Sequence, residues 1–247
     1  MTRDFTLEKY SELVQALKQN YRIMSVADYI SSPKKEDFIA VLRHDVDKFP
    51  ERATRMALLE KNLGIHSTYY FRWDANLPGH VGDAVMGNFP KLAIIECKIY
   101  GHEVGYHYEN LSELRDKEKA LVDFEYKLAQ FRKIAPAQTV AMHGAPRSKI
   151  RNADMLTGVD LSKYGLLGEP HLSPVFENIA YITDSGRMWT SGAGSVRDTM
   201  GKPLEEKIKN TDGLIEIVRS KKYTRMMVSA RPGAGRIRIL MKLHDVG

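Results

Sequence analysis

Asp45 and Asp47 stand two residues apart at the end of an apolar run, Phe38-Ile39-Ala40-Val41-Leu42, which leads into Arg43-His44-Asp45-Val46-Asp47. If the run is a buried strand, alternation sends both carboxylates off the same face, one repeat apart. Two acids facing one point suit a metal ligand beside a general base. The plainer alternative is a solvated strand end with a turn-forming Asp. A second constellation is Gly101-His102-Glu103-Val104-Gly105-Tyr106-His107-Tyr108-Glu109. Here His107 and Glu109 would share a strand face, and Gly105 permits close backbone approach. His102 reads as a hydrogen-bonded structural histidine. Met142-His143-Gly144-Ala145-Pro146 places another imidazole before a turn. With Asp47 and His107, His143 would complete a three-ligand set for Zn²⁺ or a similar ion, leaving positions open for water. Thr183-Asp184-Ser185-Gly186-Arg187-Met188-Trp189 adds an acid and an indole. They could line a substrate groove, or be a strand-to-turn Asp and a core Trp.

The elements that must position these groups alternate. Residues 6–19 carry Leu7, Tyr10, Leu13, Val14 and Leu17 at helical spacing. A polar connection through Ser31-Ser32-Pro33 leads to the first strand, about 38–46. Pro50 opens a helix bearing Met56, Leu59 and Leu63, which Gly64 stops. Strands follow at 67–73, 103–107, 139–144, 179–184 and 225–229, and helices at 91–99, 114–131 and 204–219. Alternating strands and helices predict parallel βα units. Their polar ends (His44, Asp45, Asp47, Arg72, Asp74, His107, Glu109, His143, Asp184) would then gather on one rim, where barrels carry their chemistry.

Composition narrows the function classes. The chain has 247 residues, 43% hydrophobic and 28% charged, which suits a globular α/β protein. No apolar stretch reaches membrane-span length and the first residues lack a signal-peptide core, so a cytoplasmic location is expected. The lone cysteine, Cys97, excludes an internal disulfide and reads as a helix core residue. The formal charge is +6, but Arg219–Gly247 holds eight Lys/Arg and one acid, a net +7 that leaves residues 1–218 at −1. That tail lacks interleaved aromatics beyond Tyr223, which argues against nucleic-acid binding. There is no phosphate-binding loop, dinucleotide fingerprint or nucleophile elbow.

Together, Leu42–Asp47, the block at 101–109, His143-Gly144-Ala145-Pro146, and Asp184-Ser185 with Trp189 resemble the polysaccharide deacetylase superfamily (NodB-homology, carbohydrate esterase family 4-like). The likeness is nearest to the branch whose first motif reads Arg-His-Asp-Val-Asp, and it runs from about residue 38 to 232. The resemblance implies an α/β distorted (β/α)7 barrel that removes acetyl groups from sugars with a divalent metal, most often zinc. It implies three parts: 1–37, a helical segment packed on the barrel; 38–232, the barrel; and 233–247, a basic tail. Asp45 resembles the general base and Asp47 the metal-binding Asp. His107 matches the first histidine of the family's His-x-x-x-His motif. The expected second histidine is Leu111, so the third ligand would be His143 or, second, Glu109. In the family's last motif Arg231 occupies the place of the acid histidine. Guanidinium donates no proton at neutral pH but can stabilise an oxyanion. His244 lies nearby without a following Pro. Arg72, Asp184 and Trp189 are the candidate substrate contacts. The implied function is a hydrolase of an N-acetylated sugar, sugar-linked substrate or related amide. Leu111 and Arg231 motivate the alternative, a carbohydrate-binding or scaffold barrel without turnover.

Overall fold

The structure, a computed structural model, describes residues 4–32, 38–72, 89–144, 148–185, 188–190, 200–202, 204 and 207–232. Asp74, His244 and the basic tail lie outside them. Helix α1, Leu7–Asn20, starts where the Thr6 side chain accepts the Lys9 N–H, and it buries Tyr10, Leu13, Val14 and Leu17. Strand β1, Arg22–Met24, and helix α2, Val26–Ser31, follow, the latter capped by Ser25. Both fall where the sequence reads as a connection. Strand β2, Ile39–Val46, is buried throughout. Helix α3, Pro50–Asn62, has Pro in its first turn, and Gly64 follows its end at φ 68°.

Strand β3, Thr68–Phe71, helix α4, Phe89–Ile99, and strand β4, Glu103–Tyr108, continue the alternation. The long helix expected over 114–131 is α6, Lys117–Arg132, which starts three residues later, and a short helix that was not expected, α5, Asn110–Leu114, precedes it. Arg115 turns left-handed at φ 56° between them, and the Asp116 side chain then caps α6 by accepting the Lys119 N–H. Strand β5, Val140–Met142, precedes three short 3₁₀ turns, then β6, Ala180–Ser185, and β7, Met188–Thr190. Helix α7, Thr211–Ser220, begins later than the expected 204 because Asn210 takes the Gly213 N–H. Strand β8, Arg225–Ser229, closes the described chain.

The strands form one sheet in the order β5-β4-β3-β2-β8-β6-β7, with β1 also on β2. β1 pairs with Ile39–Val41 and β3 with Arg43–Val46, so these two lie end to end along one edge of β2. The N-terminal segment thus supplies a strand to the sheet as well as helices against it. Every ladder is parallel except β6–β7. Beyond β5, Gly168 bridges Thr139. The result is a curled α/β sheet of the distorted-barrel type, clothed by helices. Alternation splits its side chains between two cores. Ala40, Leu42 and Val46 face the helices with Tyr10, Met56 and Phe124. Ile39 and Val41 face the interior with Tyr70, Ala141, Tyr181 and Met227. Cys97 is buried in the helix-side core, as expected.

Candidate metal centre

Parallel register brings the ends of β2, β4 and β5 to one level of the interior. Asp47 follows β2, His107 is on β4 and His143 follows β5. Asp47 Oδ1 lies 3.3 Å from His107 Nε2 and 3.4 Å from His143 Nε2. One ligand atom from each residue falls within 4.8 Å of the others. The ring orientations show what these atoms offer. His107 Nδ1 is 3.0 Å from the Ala141 carbonyl, which only accepts, so Nδ1 carries the proton. His143 Nδ1 lies 3.0 Å from Glu109 Oε2, within ion-pair distance though off the hydrogen-bond line, and a carboxylate likewise only accepts. The neutral His107 ring therefore turns its Nε2 lone pair toward Asp47 Oδ1, the neutral His143 ring can turn its own the same way, and Asp47 Oδ1 is buried without a hydrogen-bond partner among the described residues. Three converging lone pairs repel one another unless a cation sits between them. The donor set fits a divalent ion.

Asp45 leaves β2 on the same face but is held differently. Arg43 grips both its oxygens, Nε to Oδ1 at 2.9 Å and Nη2 to Oδ2 at 2.8 Å, with both side chains buried. Burial opposes ionisation, yet the charge and hydrogen bonds of Arg43, with the charge of Arg231 beyond, hold the Asp45 carboxyl well below the usual carboxylate range. It is an oriented carboxylate and a weak base. Arg43 was not among the sequence candidates, although its place two residues before Asp45 on the same strand face was a readable signal. Arg231 Nε lies 4.0 Å from Asp47 Oδ2, beside the cluster.

The other expected rim residues are arranged differently. His44 points to the helix side, its Nδ1 2.6 Å from the Ala230 carbonyl and its Nε2 2.8 Å from Glu60 Oε1. Burial would lower its pKa, but Glu60 beside it raises it, while the same pair pulls Glu60 down to about 2 against its own burial. Tyr10, Ser67 and Tyr69 also donate to Glu60. His102 bonds the Ala57 carbonyl at 2.9 Å and is structural, as expected.

Asp184 and Trp189 are cross-strand partners that also face the helices, where a pocket is lined by Leu7, Tyr10, Met56 and Arg231 among others. This puts both on the side of the sheet opposite Asp47, because alternation from Tyr181, which faces the interior, turns Asp184 outward. Trp189 donates to Thr211 Oγ1 at 2.9 Å and stacks on Phe5. Asp184 Oδ2 accepts the Arg231 main-chain N–H at 2.8 Å. Burial pushes its carboxyl up to about 8, despite the opposing charge of Arg231. Arg72 is paired with Glu109 and lies 3.7 Å from Glu113, so its guanidinium stands behind the group of Asp47, His107 and His143.

No family model and no curated protein matches the sequence. Among solved structures the chain is similar to a carbohydrate esterase family 4 pseudoenzyme from Bacillus anthracis, with 15% identity and TM-score 0.43, covering 81% of this chain and 56% of that one. It is also similar to the peptidoglycan deacetylase PdaC from Bacillus subtilis, with 14% identity and TM-score 0.40, covering 81% and 90%. A carbohydrate esterase family 4 esterase from Streptococcus mutans gives 13% identity and TM-score 0.40, covering 88% and 94%. The chain thus spans just over half the length of the first. The first and third of these bear the name of carbohydrate esterase family 4, and the second is named as a peptidoglycan deacetylase.

Proposed function

We propose that this protein is a divalent-metal-dependent hydrolase that removes the acetyl group from an N-acetylated sugar or a related amide. The observation that carries the reading is the convergence of Asp47, His107 and His143, with both outer Nδ1 atoms facing acceptors. These three residues would hold the ion, Zn²⁺ being the best match to the donor set. When bound, the ion polarises the acetyl carbonyl and lowers the pKa of water. Asp45, oriented by Arg43, accepts the proton of the attacking water. As the amide C–N bond breaks, the same proton passes to the leaving nitrogen, so acetic acid, which then ionises to acetate in water, and the free sugar amine depart. Arg231 supports the negative charge developing on the carbonyl oxygen and supplies no proton.

Purified protein should contain one divalent ion per chain and release acetate from at least one member of an N-acetylated sugar panel. Protein without stoichiometric metal after Zn²⁺ loading would overturn the reading. One observation favours a second reading, a sugar-binding barrel without turnover: the carboxylate closest in sequence to Asp47 is clamped by Arg43, and Arg231 stands where a proton donor is expected. Metal-loaded protein that releases no acetate, but gains the activity on Arg231→His, would establish that alternative.

A further inference from the structure

Strand β4 ends at Tyr108, and Glu109 caps α5 with φ −135° and ψ 11°. The chain has left the pleat there, so Glu109 no longer follows His107 onto the strand face. Its carboxylate lies behind His143 instead. Oε2 is 3.0 Å from His143 Nδ1, whereas Nε2 of the same ring faces Asp47 Oδ1 at 3.4 Å. The imidazole stands between Glu109 and the ligand cluster.

Glu109 is itself held. Arg72 Nη2 pairs with the same Oε2 and also approaches Glu113 Oε1 at 3.7 Å. Lys127 anchors Glu113 at 3.2 Å and Asp123 at 3.0 Å. The main chain of His143 is tied to the same helix start. Asn152 Nδ2 donates to the His143 carbonyl at 2.8 Å, and the Ser112 N–H donates to Asn152 Oδ1 at 2.9 Å. Ser112 Oγ donates in turn to the Glu109 carbonyl at 3.1 Å. Ring and backbone of His143 are thus both referenced to the β4–α5 turn.

We propose that Glu109 is the positioning residue of His143, keeping the proton on Nδ1 so that Nε2 presents its lone pair to the ion, with Arg72 fixing the carboxylate. The inference rests on the metal-site reading above. A carboxylate behind a ligating imidazole orients the ring and strengthens it as a donor, and losing such a partner typically costs 10–100-fold in metal affinity. His107 has only a neutral carbonyl, Ala141, in the equivalent place. The two histidines are therefore unequal ligands, and the stronger one depends on a side chain.

The test is Zn²⁺ and Co²⁺ affinity by competition with a chromophoric chelator, together with the visible spectrum of the Co²⁺ form. Glu109→Ala should weaken binding about 10–100-fold with the Co²⁺ band intensity unchanged. Glu109→Gln, whose amide oxygen keeps an acceptor facing Nδ1, should recover most of the loss, and Arg72→Met should weaken binding by about threefold or more. Affinity within about twofold of wild type in Glu109→Ala would overturn the proposal. So would a Glu109→Gln loss as deep as that of His143→Ala with an altered Co²⁺ spectrum, which would make Glu109 a direct ligand. Should Glu109→Ala not fold, unchanged affinity in Arg72→Met overturns the proposal and a loss supports it. Wild-type protein that binds no ion would instead sink the metal-site reading itself.

Discussion

Replacing Asp184 by Asn should stabilise the protein, and by an amount that grows with pH. Asp184 is buried on the helix side of β6, with Oδ2 taking the Arg231 N–H at 2.8 Å. Oδ1 has no hydrogen-bond partner among the described residues. Burial raises its pKa from 3.8 to about 8. The folded value lies above the unfolded one, so between them the native state keeps a proton that the unfolded chain has released. Stability therefore falls as pH rises across that window. At about 1.4 kcal/mol per pH unit, the gap between 3.8 and about 8 amounts to about 6 kcal/mol, of which about 4 kcal/mol has been lost at neutral pH. Asn keeps an oxygen for the Arg231 N–H and does not titrate. Urea unfolding of both proteins from about pH 4.5 to 9 reads the effect through the linear dependence of unfolding free energy on denaturant. The advantage of Asp184→Asn should be smallest at the acid end, increase by several kcal/mol toward pH 8, and level off above it. A difference between the two proteins that is constant over the whole range would refute the reasoning.

Three other outcomes follow from the same contacts. Arg43→Met should cost about 3–5 kcal/mol at neutral pH, because it leaves the buried Asp45 carboxylate uncompensated. The folded pKa of Asp45 lies below its unfolded value, so the pair's contribution is present above the ordinary carboxylate pKa and fades in acid, and the loss measured by urea unfolding should shrink there. Gly105→Ala would put a Cβ 2.5 Å from the Thr139 carbonyl and 2.7 Å from the Tyr70 ring, so thermal or urea unfolding should show a loss of about 1–3 kcal/mol. His107→Ala should abolish stoichiometric divalent-ion content, measured by elemental analysis, because a ligand with a fixed tautomer is removed.

Much of the frame was legible because it is local. The run 225–229 reads as a strand and is β8, and the apolar run before Arg43 is β2, since β-branched and apolar runs declare themselves. The stop of α3 at Gly64 was equally plain. Strand β1 and helix α2 were not, because three and six residues are too few for a period to emerge, although the Ser25 cap was a usable sign. The short helix α5 and the later start of α6 turned on Arg115 adopting φ 56°, which no residue type there announces.

At the site, the sequence alone named the residue types able to hold a metal and the strand ends that could supply them. Asp47, His107 and His143 were named from pattern, and they converge. Only the tertiary structure decided facing. His44 and Asp184 sit on strands whose alternation is certain but whose inward side is set by packing, and both turn toward the helices. The choice between His143 and Glu109 was likewise invisible in one dimension. Period-2 alternation holds only while the chain stays a strand, and at Glu109 it becomes the start of a helix. That turn moves a carboxylate from beside His107 to behind His143, outside the cluster of Asp47, His107 and His143.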